Sequence, residues 1–398
     1  MRVIFHVDVN NAFLSWTALD LLRQGSTVDI RKIPAVIGGD ETKRHGIVVA
    51  KSPVAKKMGV VTAETLYSAR KKCPNLKVFP ANHELYHRMS NQLYEYFLTI
   101  TPVVERFSVD ECFLDMTGME YLHKDLYAFA LQMKEEIKQK FGYTVNIGIA
   151  NNKLCAKMAS DFEKPDKVHT LFQSEVASKM WPLPVEELFM VGKSTSKILH
   201  QLGIHTIHDL AIADPLLLKR YFKSFAITLK NYANGIDDSP VGKKEAKNKS
   251  ISTTETLPTD VTDKKMLKEV LRYQADEIGH SLRKEGYYAK TVAIILRNSD
   301  FIDYSKQRKL VNPTNVTEVI YETICALLDQ AWKKDPIRLI GIRVTDFTKE
   351  NIKQISLFED AIDDQQEQVQ KTLDELQMKF GKEVIKPASF LKRDGKEQ

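Results

Sequence analysis

The sequence predicts an α/β (α+β) chain of two small βαββαβ units joined through a run of short helices. Three observations carry this. The order strand, helix, strand, strand, helix, strand can be read once before residue 150 and again after residue 250. Between them, residues 173 to 235 read as short helical segments broken by Gly and Pro. The chain also has 398 residues, 43% of them hydrophobic, more than one core usually serves, so several domains are expected.

Taken in order, Val3 to Asp8 reads as a buried strand that ends on a carboxylate, and Ala12 to Leu22 has helical spacing. Phe13 puts an aromatic ring five residues beyond Asp8. The stretch Ile37-Gly38-Gly39-Asp40-Glu41-Thr42 superficially resembles a nucleotide-cyclase signature, but no long βαββ context leads into it, so it reads as a Gly-rich turn. Ile47 to Ala50 is a short strand, followed by Lys51, Lys56 and Lys57, a basic group facing either phosphates or water. Asn82 can cap a helix with apolar positions Leu85, Met89, Leu93, Phe97 and Ile100. Leu122, Leu126, Phe129, Met133, Ile137 and Phe141 mark a second helix, and Val145, Ile147 and Ile149 alternate as a strand.

Between those two helices stands Ser108-Val109-Asp110-Glu111, an adjacent acidic pair flanked by the apolar-rich stretches Val103 to Phe107 and Cys112 to Met116. Neighbouring residues of a regular strand point to opposite faces, so both acids reach one site only where the backbone bends. A hairpin tip supplies such a bend. With Asp8 on the first strand and the pair between the middle two, a split βαβ sheet can bring three carboxylates together. Oxygen ligands of that kind suit magnesium, and two such ions roughly 3.5–4 Å apart clamp the oxygens of a phosphoryl transfer. An acidic pair in a turn is also the ordinary signature of a solvated loop end.

In the helical segment, Leu183-Pro184-Val185, then Met190-Val191-Gly192-Lys193-Ser194, then Leu202-Gly203-Ile204 suggest a helix-hairpin-helix. Its backbone N–H groups at a helix start would hold a DNA phosphate without reading bases. The alternative is an ordinary helical turn with Gly203 as its C-cap. Asp237 to Ser250 is polar, with Lys243, Lys244, Lys247 and Lys249, and reads as a linker suited to a phosphate backbone. The second βαββαβ unit follows as Ile251–Thr256, Leu267–Leu282, Thr291–Leu296, Tyr304–Leu310, Asn315–Ala331 and Leu339–Val344. Arg297, Arg308, Lys309, Arg338 and Arg343 lie on or beside its strands, as a phosphate-gripping sheet face requires, though scattered surface basics account for them equally well.

Composition sets bounds. A net charge of +6 permits a polyanionic partner. Cys73, Cys112, Cys155 and Cys325 form no zinc spacing and read as core or free thiols. No run approaches the ~18 apolar residues of a membrane span, and the N-terminus enters a strand directly, so a cytoplasmic protein is expected.

Several stretches together resemble one family. SVDECFLD resembles the acidic signature of Y-family (translesion) DNA polymerases, HVDVNNAFLS their opening motif, GIANNKLCAKMASDFEKPD their closing strand and helix, and VEELFMVGKSTSKILHQLGI their thumb hairpin. NHELYHRMSN and AKSPVAKKMGV resemble the branch holding the polymerase V catalytic subunit, with polymerase IV a close relative. The resemblance implies a right-handed polymerase with a palm at 1–10 and 79–170, small fingers at 11–78, a thumb at 171–236, the basic linker at 237–250, a little finger at 251–348 and a tail at 349–398. It implies a low-fidelity, template-directed enzyme that uses two Mg2+ ions to add deoxynucleotides to the 3′-end of primer-template DNA. Matched by position, Asp8, Asp110, Glu111 and the carbonyl of Val9 are metal ligands, and Phe13 is the gate against a ribose 2′-hydroxyl. Lys164 and Lys56 contact the triphosphate. Lys51 shares that work, because Pro53 stands where polymerase IV has a tyrosine. Gly192, Lys193, Lys243, Lys244, Arg297, Arg338 and Arg343 are the expected DNA contacts, and Met190 replaces the first hairpin glycine. Gln354-Ile355-Ser356-Leu357-Phe358 resembles the Gln-x-x-Leu-Phe peptide that docks a replication sliding clamp, with Gln354, Leu357 and Phe358 as anchors; accessory subunits are possible further partners. Its alternative is a hydrophobic staple tucking the tail against the little finger. The rival readings of the whole chain are a nucleotide-cyclase-like palm enzyme and a non-catalytic DNA-binding clamp accessory.

Overall fold

Alternating apolar residues on the first strand decide the first layer. In the computed structural model, which describes residues 2–40, 44, 46–242, 248–350 and 362–381, β1 (Ile4–Val9) is buried on both faces and lies mid-sheet. The chain divides into two compact units, one of Met1–Gly39 with Gly46–Lys244, the other of Asp40–His45 with Glu245–Gln398.

In the first unit β1 leads to α1 (Ala12–Arg23), then to a small sheet of β2 (Ala35–Gly38), β3 (Val48–Lys51) and β4 (Lys77–Pro80) in the order β3-β2-β4. Between β3 and β4 lie α2 (Pro53–Lys57) and α3 (Leu66–Lys72). Next comes α4 (His83–Leu98), whose first turn is closed by the Asn82 side chain accepting from Leu85 N at 3.0 Å. The hairpin β5 (Val104–Arg106) and β6 (Glu111–Asp115) is followed by α5 (Leu126–Phe141). That helix starts later than the Leu122 periodicity suggests. Asp125 caps it by accepting from Tyr127 N and Ala128 N, which leaves Leu122 outside and 73% exposed. Then come β7 (Val145–Ala150), α6 (Lys153–Asp161) and β8 (Val168–Thr170), completing a sheet of order β5-β6-β1-β7-β8.

The two faces of this sheet have different tasks. Phe5, Val7 and Val9 pack with Cys112, Leu114, Val145, Ile147 and Ile149 against Leu85, Met89 and Phe97 of α4 and Met133 and Ile137 of α5. The opposite face carries Ile4, His6 and Asp8 on β1, whose partners are Asp115, Phe113 and Glu111 on β6 and Ala150, Gly148 and Asn146 on β7. Glu111, Asp8 and Asn146 therefore form one rung across three strands. Against this face α6 lies very close: a Cβ on Gly148 would sit 1.9 Å from the Ala156 carbonyl oxygen, so only glycine permits the approach. The same core runs on through Val176, Met180, Val185 and Leu188 into α7 (Lys193–Gln201), α8 (Ile207–Ile212), α9 (Pro215–Phe222) and α10 (Phe225–Ala233).

In the second unit β9 (Ser250–Val261), α11 (Lys264–Glu285), β10 (Tyr288–Asn298), β11 (Asp303–Thr314), α12 (Thr317–Ala331) and β12 (Ile337–Thr348) follow the expected order and form an antiparallel sheet β11-β10-β12-β9. Val292, Ile294, Leu296, Ile340, Ile342 and Val344 pack with α11 and α12. A last helix, α13 (Ile362–Phe380), attaches to α11 through Asp374, which meets Arg283 Nε at 2.5 Å and His280 Nδ1 at 3.0 Å. Gln370 accepts from Arg283 and from the Thr317 N–H. All four cysteines are free thiols. Among the described residues no helix is long and apolar enough to cross a membrane.

Candidate active site

The rung at the end of β1 gathers the acidic groups. Asp8 is 8% exposed and directly opposite Glu111. The turn before β6 brings Asp110 alongside through the backbone, since Val9 N–H donates to the Asp110 carbonyl at 3.1 Å. The Asp110 carboxylate accepts the Ser108 hydroxyl at 2.6 Å. The expected gathering of three carboxylates is thus realised for Asp8 and Glu111, with Asp110 adjacent but bonded locally. Among the described residues no three His, Cys, Asp or Glu side chains converge closely enough to hold a metal ion.

Each of the two opposed carboxylates has a cationic partner from α6 or the segment after it. Lys164 Nζ is 3.1 Å from Asp8 Oδ2 and 2.8 Å from Asp161, while Lys157 Nζ is 2.8 Å from Glu111 Oε2. From the buried side His6 Nε2 approaches Glu111 Oε2 at 3.5 Å, and its Nδ1 is 2.8 Å from Ser160 Oγ. Burial pushes the Asp8 carboxyl up to about 7; Lys164 opposes the shift, and the like charges of Glu111 and Asp110 add to it. Burial acts the same way on Glu111, but the nearby His6 ring and the hydrogen bond from Lys157 outweigh it and hold that carboxyl at about 2. Burial lowers His6. The oxygens of Asp8 and Glu111 are hard donors of the kind a divalent ion takes, and each faces one ammonium group.

Around the acids the expected residues divide. Phe13 opens α1 with its ring stacked on Tyr86, 4.4 Å between centroids and 14° between planes. The Tyr86 hydroxyl is 3.0 Å from Thr17 Oγ1, so the pair is fixed from α4. Lys51 ends β3, reaching Thr62 Oγ1 at 3.4 Å, and its carbonyl accepts from Asn11, the residue before α1. Lys56 is exposed on α2. Gly192 and Lys193 stand at the start of α7, where Lys193, Ser196, Lys197 and His200 line a cleft of about 570 Å³. In the second unit Arg297 pairs with Asp303 at 2.6 Å and Arg338 covers the Phe301 ring at 4.6 Å. Arg343 is exposed opposite Ala293. Lys243, Lys244, Gln354, Leu357 and Phe358 lie outside the described residues.

Sequence reasoning missed His6, Tyr86 and Lys157. His6 is two residues before Asp8, hence on the same strand face, and that spacing was the available signal. Lys153 and Lys157 share a helix face at i, i+4; Lys153 pairs with Glu105 at 2.7 Å. Tyr86 carried no local signal, because its partner ring is far away in sequence.

Comparison with known proteins extends over most of the chain. The model of the impB/mucB/samB family matches residues 7–161, that of the family's C-terminal domain residues 248–357, and that of the IMS family HHH motif residues 174–204. The chain is 44% identical to a DNA polymerase IV of Clostridium acetobutylicum, over 99% of this chain and 100% of the relative. It is 35% identical to a DNA polymerase IV of Acetivibrio thermocellus, over 99% and 98% of the two chains, and 33% identical to DNA polymerase IV 1 of Bacillus subtilis, over 99% and 94%. Among solved structures, a Y-family DNA polymerase chimera shares the fold at a TM-score of 0.74 with 22% identity, covering 87% of this chain and all of that one.

The hairpin before α7 yields a test. Met190, 55% exposed, has φ +73, a left-handed conformation that glycine adopts without strain. Removing roughly 1–2 kcal/mol of strain, against the ~0.5–1 kcal/mol that glycine's freedom costs the folded state, Met190→Gly should raise stability by up to about 1.5 kcal/mol in chemical denaturation. A clear loss would show that the Met190 side chain contributes packing the hairpin needs.

Proposed function

Because this chain belongs to the impB/mucB/samB family, the Y-family translesion DNA polymerases, we propose that Asp8, Asp110, Glu111 and the Val9 carbonyl hold two magnesium ions for its nucleotidyl transfer. The chain is a DNA-directed DNA polymerase of translesion synthesis, acting on DNA and deoxynucleoside triphosphates, and the family relationship carries a general dependence on divalent metal. The single observation behind the finer assignment is the Asp8–Glu111 rung, two acids on one buried sheet face with ammonium groups against them. Asp110 completes the set by releasing the Ser108 hydroxyl and rotating about its side chain. Bound there, divalent cations supply charge neutralisation and Lewis acidity for the transfer.

The protein's own groups then divide the work. Lys164, freed from Asp8, takes the incoming triphosphate, with Lys51 and Lys56 as further cations on its path. The primer 3′-oxygen bonds to the α-phosphorus as the bond to pyrophosphate breaks, and the hydroxyl proton passes to solvent. Positioning and charge account for the rate, so no side chain need be a dedicated base. Phe13 bars the 2′-hydroxyl, and Tyr86 stacked behind it keeps the ring from yielding.

We assign the palm to residues 1–10 and 79–170, fingers to 11–78, thumb to 171–236 and little finger to 251–348, supported by the three sheets and the helical run. Gly192, Lys193, Arg297, Arg338 and Arg343, with Lys243 and Lys244 of the linker, are the proposed DNA contacts. The lysines and arginines carry charge and Gly192 offers backbone at a helix start, without a base-reading helix, which fits sequence-indifferent binding. The segment Gln354 to Phe358 is the proposed sliding-clamp peptide, Leu357 and Phe358 filling an apolar pocket and Gln354 bonding its rim. The cyclase alternative accounts for neither the hairpin motif nor the C-terminal domain, and a non-catalytic accessory has no use for the acidic rung.

Three outcomes are expected. Asp8→Asn, Asp110→Ala and Glu111→Gln should each cut primer extension by several kcal/mol of transition-state stabilisation, on the order of 10³-fold, while DNA affinity stays near wild type in a binding assay. Extension by Asp110→Ala at near wild-type rate in magnesium would remove it from the ligand set.

Phe13→Ala should raise ribonucleotide kcat/KM relative to deoxyribonucleotide by at least about tenfold, ~1.4 kcal/mol. An unmoved ratio makes Phe13 a packing residue and leaves the gate elsewhere.

Leu357→Ala with Phe358→Ala should abolish clamp-stimulated processivity and spare extension of short primers without clamp. Equal loss in both assays would make the motif part of the fold.

A further inference from the structure

We infer that Asn146 is the positioning residue that holds Lys164 at the reaction site. The inference rests on reading Lys164 as the triphosphate lysine, and it concerns what fixes that lysine in place. Lys164 lies on an irregular segment between the end of α6 at Asp161 and the start of β8 at Val168. Backbone hydrogen bonds hold its two ends, Phe162 N to the Ala159 carbonyl and Ile147 N to the Lys167 carbonyl, and between them the course of the backbone at Glu163 and Lys164 depends on side chains from elsewhere.

Asn146, on β7, is wholly buried and reaches that segment on both sides of Lys164. Its Nδ2 donates to the Ser160 carbonyl at 3.0 Å and to the Glu163 carbonyl at 2.7 Å, and its Oδ1 accepts from Lys167 N at 3.3 Å. Two carbonyls on one side and an N–H on the other fix which way the amide faces. Only a carboxamide carries two donors and an acceptor on so short a stem; serine, threonine, aspartate and alanine each leave at least one of these groups unpaired. In a buried setting no water replaces them. Asp166, paired with Lys134 and Lys138 at 2.9 and 3.2 Å, holds the far end of the segment, and Lys164 Nζ also meets Asp161 at 2.8 Å, so what Asn146 fixes is the backbone at Glu163, the residue before the lysine.

Register ties this clamp to the chemistry. Asn146 is the cross-strand partner of Asp8, the carboxylate that Lys164 Nζ touches. One rung of the sheet therefore carries the acid, its opposing acid and the amide that brings the lysine to them. If the segment relaxes, Lys164 retreats while Asp8 and Glu111 keep their strands. The loss falls on triphosphate binding, equally in ground and transition states, and that raises KM with little change in kcat.

The test is a double-mutant cycle on the full chain, reading steady-state KM for the deoxynucleoside triphosphate and kcat in primer extension. Asn146→Ala should raise KM about tenfold with kcat within about twofold, and the increase should largely vanish in a Lys164→Ala background, because the two side chains act through one contact. Should Asn146→Ala fold poorly, Asn146→Ser, which keeps one donor, runs the same cycle and should give a smaller KM increase with the same dependence on Lys164. Equal KM increases with and without Lys164, or none, would overturn the inference and leave Asn146 a core hydrogen-bonding residue. If Lys164→Ala alone leaves KM unchanged, the triphosphate reading of Lys164 fails, a result distinct from additivity.

Discussion

Two carboxylates forced opposite one another on neighbouring buried strands, Asp8 and Glu111, set the terms for what surrounds them. Burying like charges side by side is unfavourable, and the sheet gives them no room to separate. The chain meets this with two ammonium groups, Lys157 from α6 and Lys164 from the segment after it, while the buried His6 ring lies 3.5 Å from Glu111. The two acids respond unequally, Asp8 drawn toward its protonated form by burial and Glu111 held ionised by its hydrogen bonds. Each acid is thereby matched to one ammonium group, Asp8 to Lys164 and Glu111 to Lys157.

The placement of α6 follows from the same rung. Its lysines reach the acids only because the helix backbone nearly touches β7, and Gly148 makes that approach possible. Beside Gly148, His6 and Ser160 bond across the strand–helix contact, so the glycine and the histidine serve one geometry. The apolar side of α6 continues into the core of α7 to α10. Displacing α6 would therefore disturb the acidic site and the hairpin-bearing helices together.

The legible part of the chain was the part governed by local periodicity. The helix after Asn82, the helix through Leu267–Leu282, the βαββαβ order of both units and the acidic hairpin follow from apolar spacing, the Asn82 cap and turns, while the start of the later helix at Lys264, capped by Asp263, is set by structure. Two strands of the small sheet were not legible. Ala35-Val36-Ile37-Gly38 is too short to show a period, and Lys77-Val78-Phe79-Pro80 ends in a residue that argues against a strand; their parallel pairing is decided by tertiary contact. At the site, the acids, Phe13 and Lys164 came from motifs, whereas Tyr86 and Asn146 act through partners distant in sequence or through buried amide geometry. The bond that engages Asp110 locally comes from one hydroxyl, Ser108, which the acidic motif alone does not reveal.

The attachment of α13 to α11 turns on one guanidinium. Arg283 donates to Asp374 and Gln370 of α13 and also to the Asn315 carbonyl just ahead of α12, so a single side chain of α11 fastens two later helices. Its planar fork reaches partners in divergent directions at once, which an ammonium group at the same place would not do. The end of the unit is therefore keyed to one residue near the end of α11, and a change there loosens the last helix and the entry to α12 together.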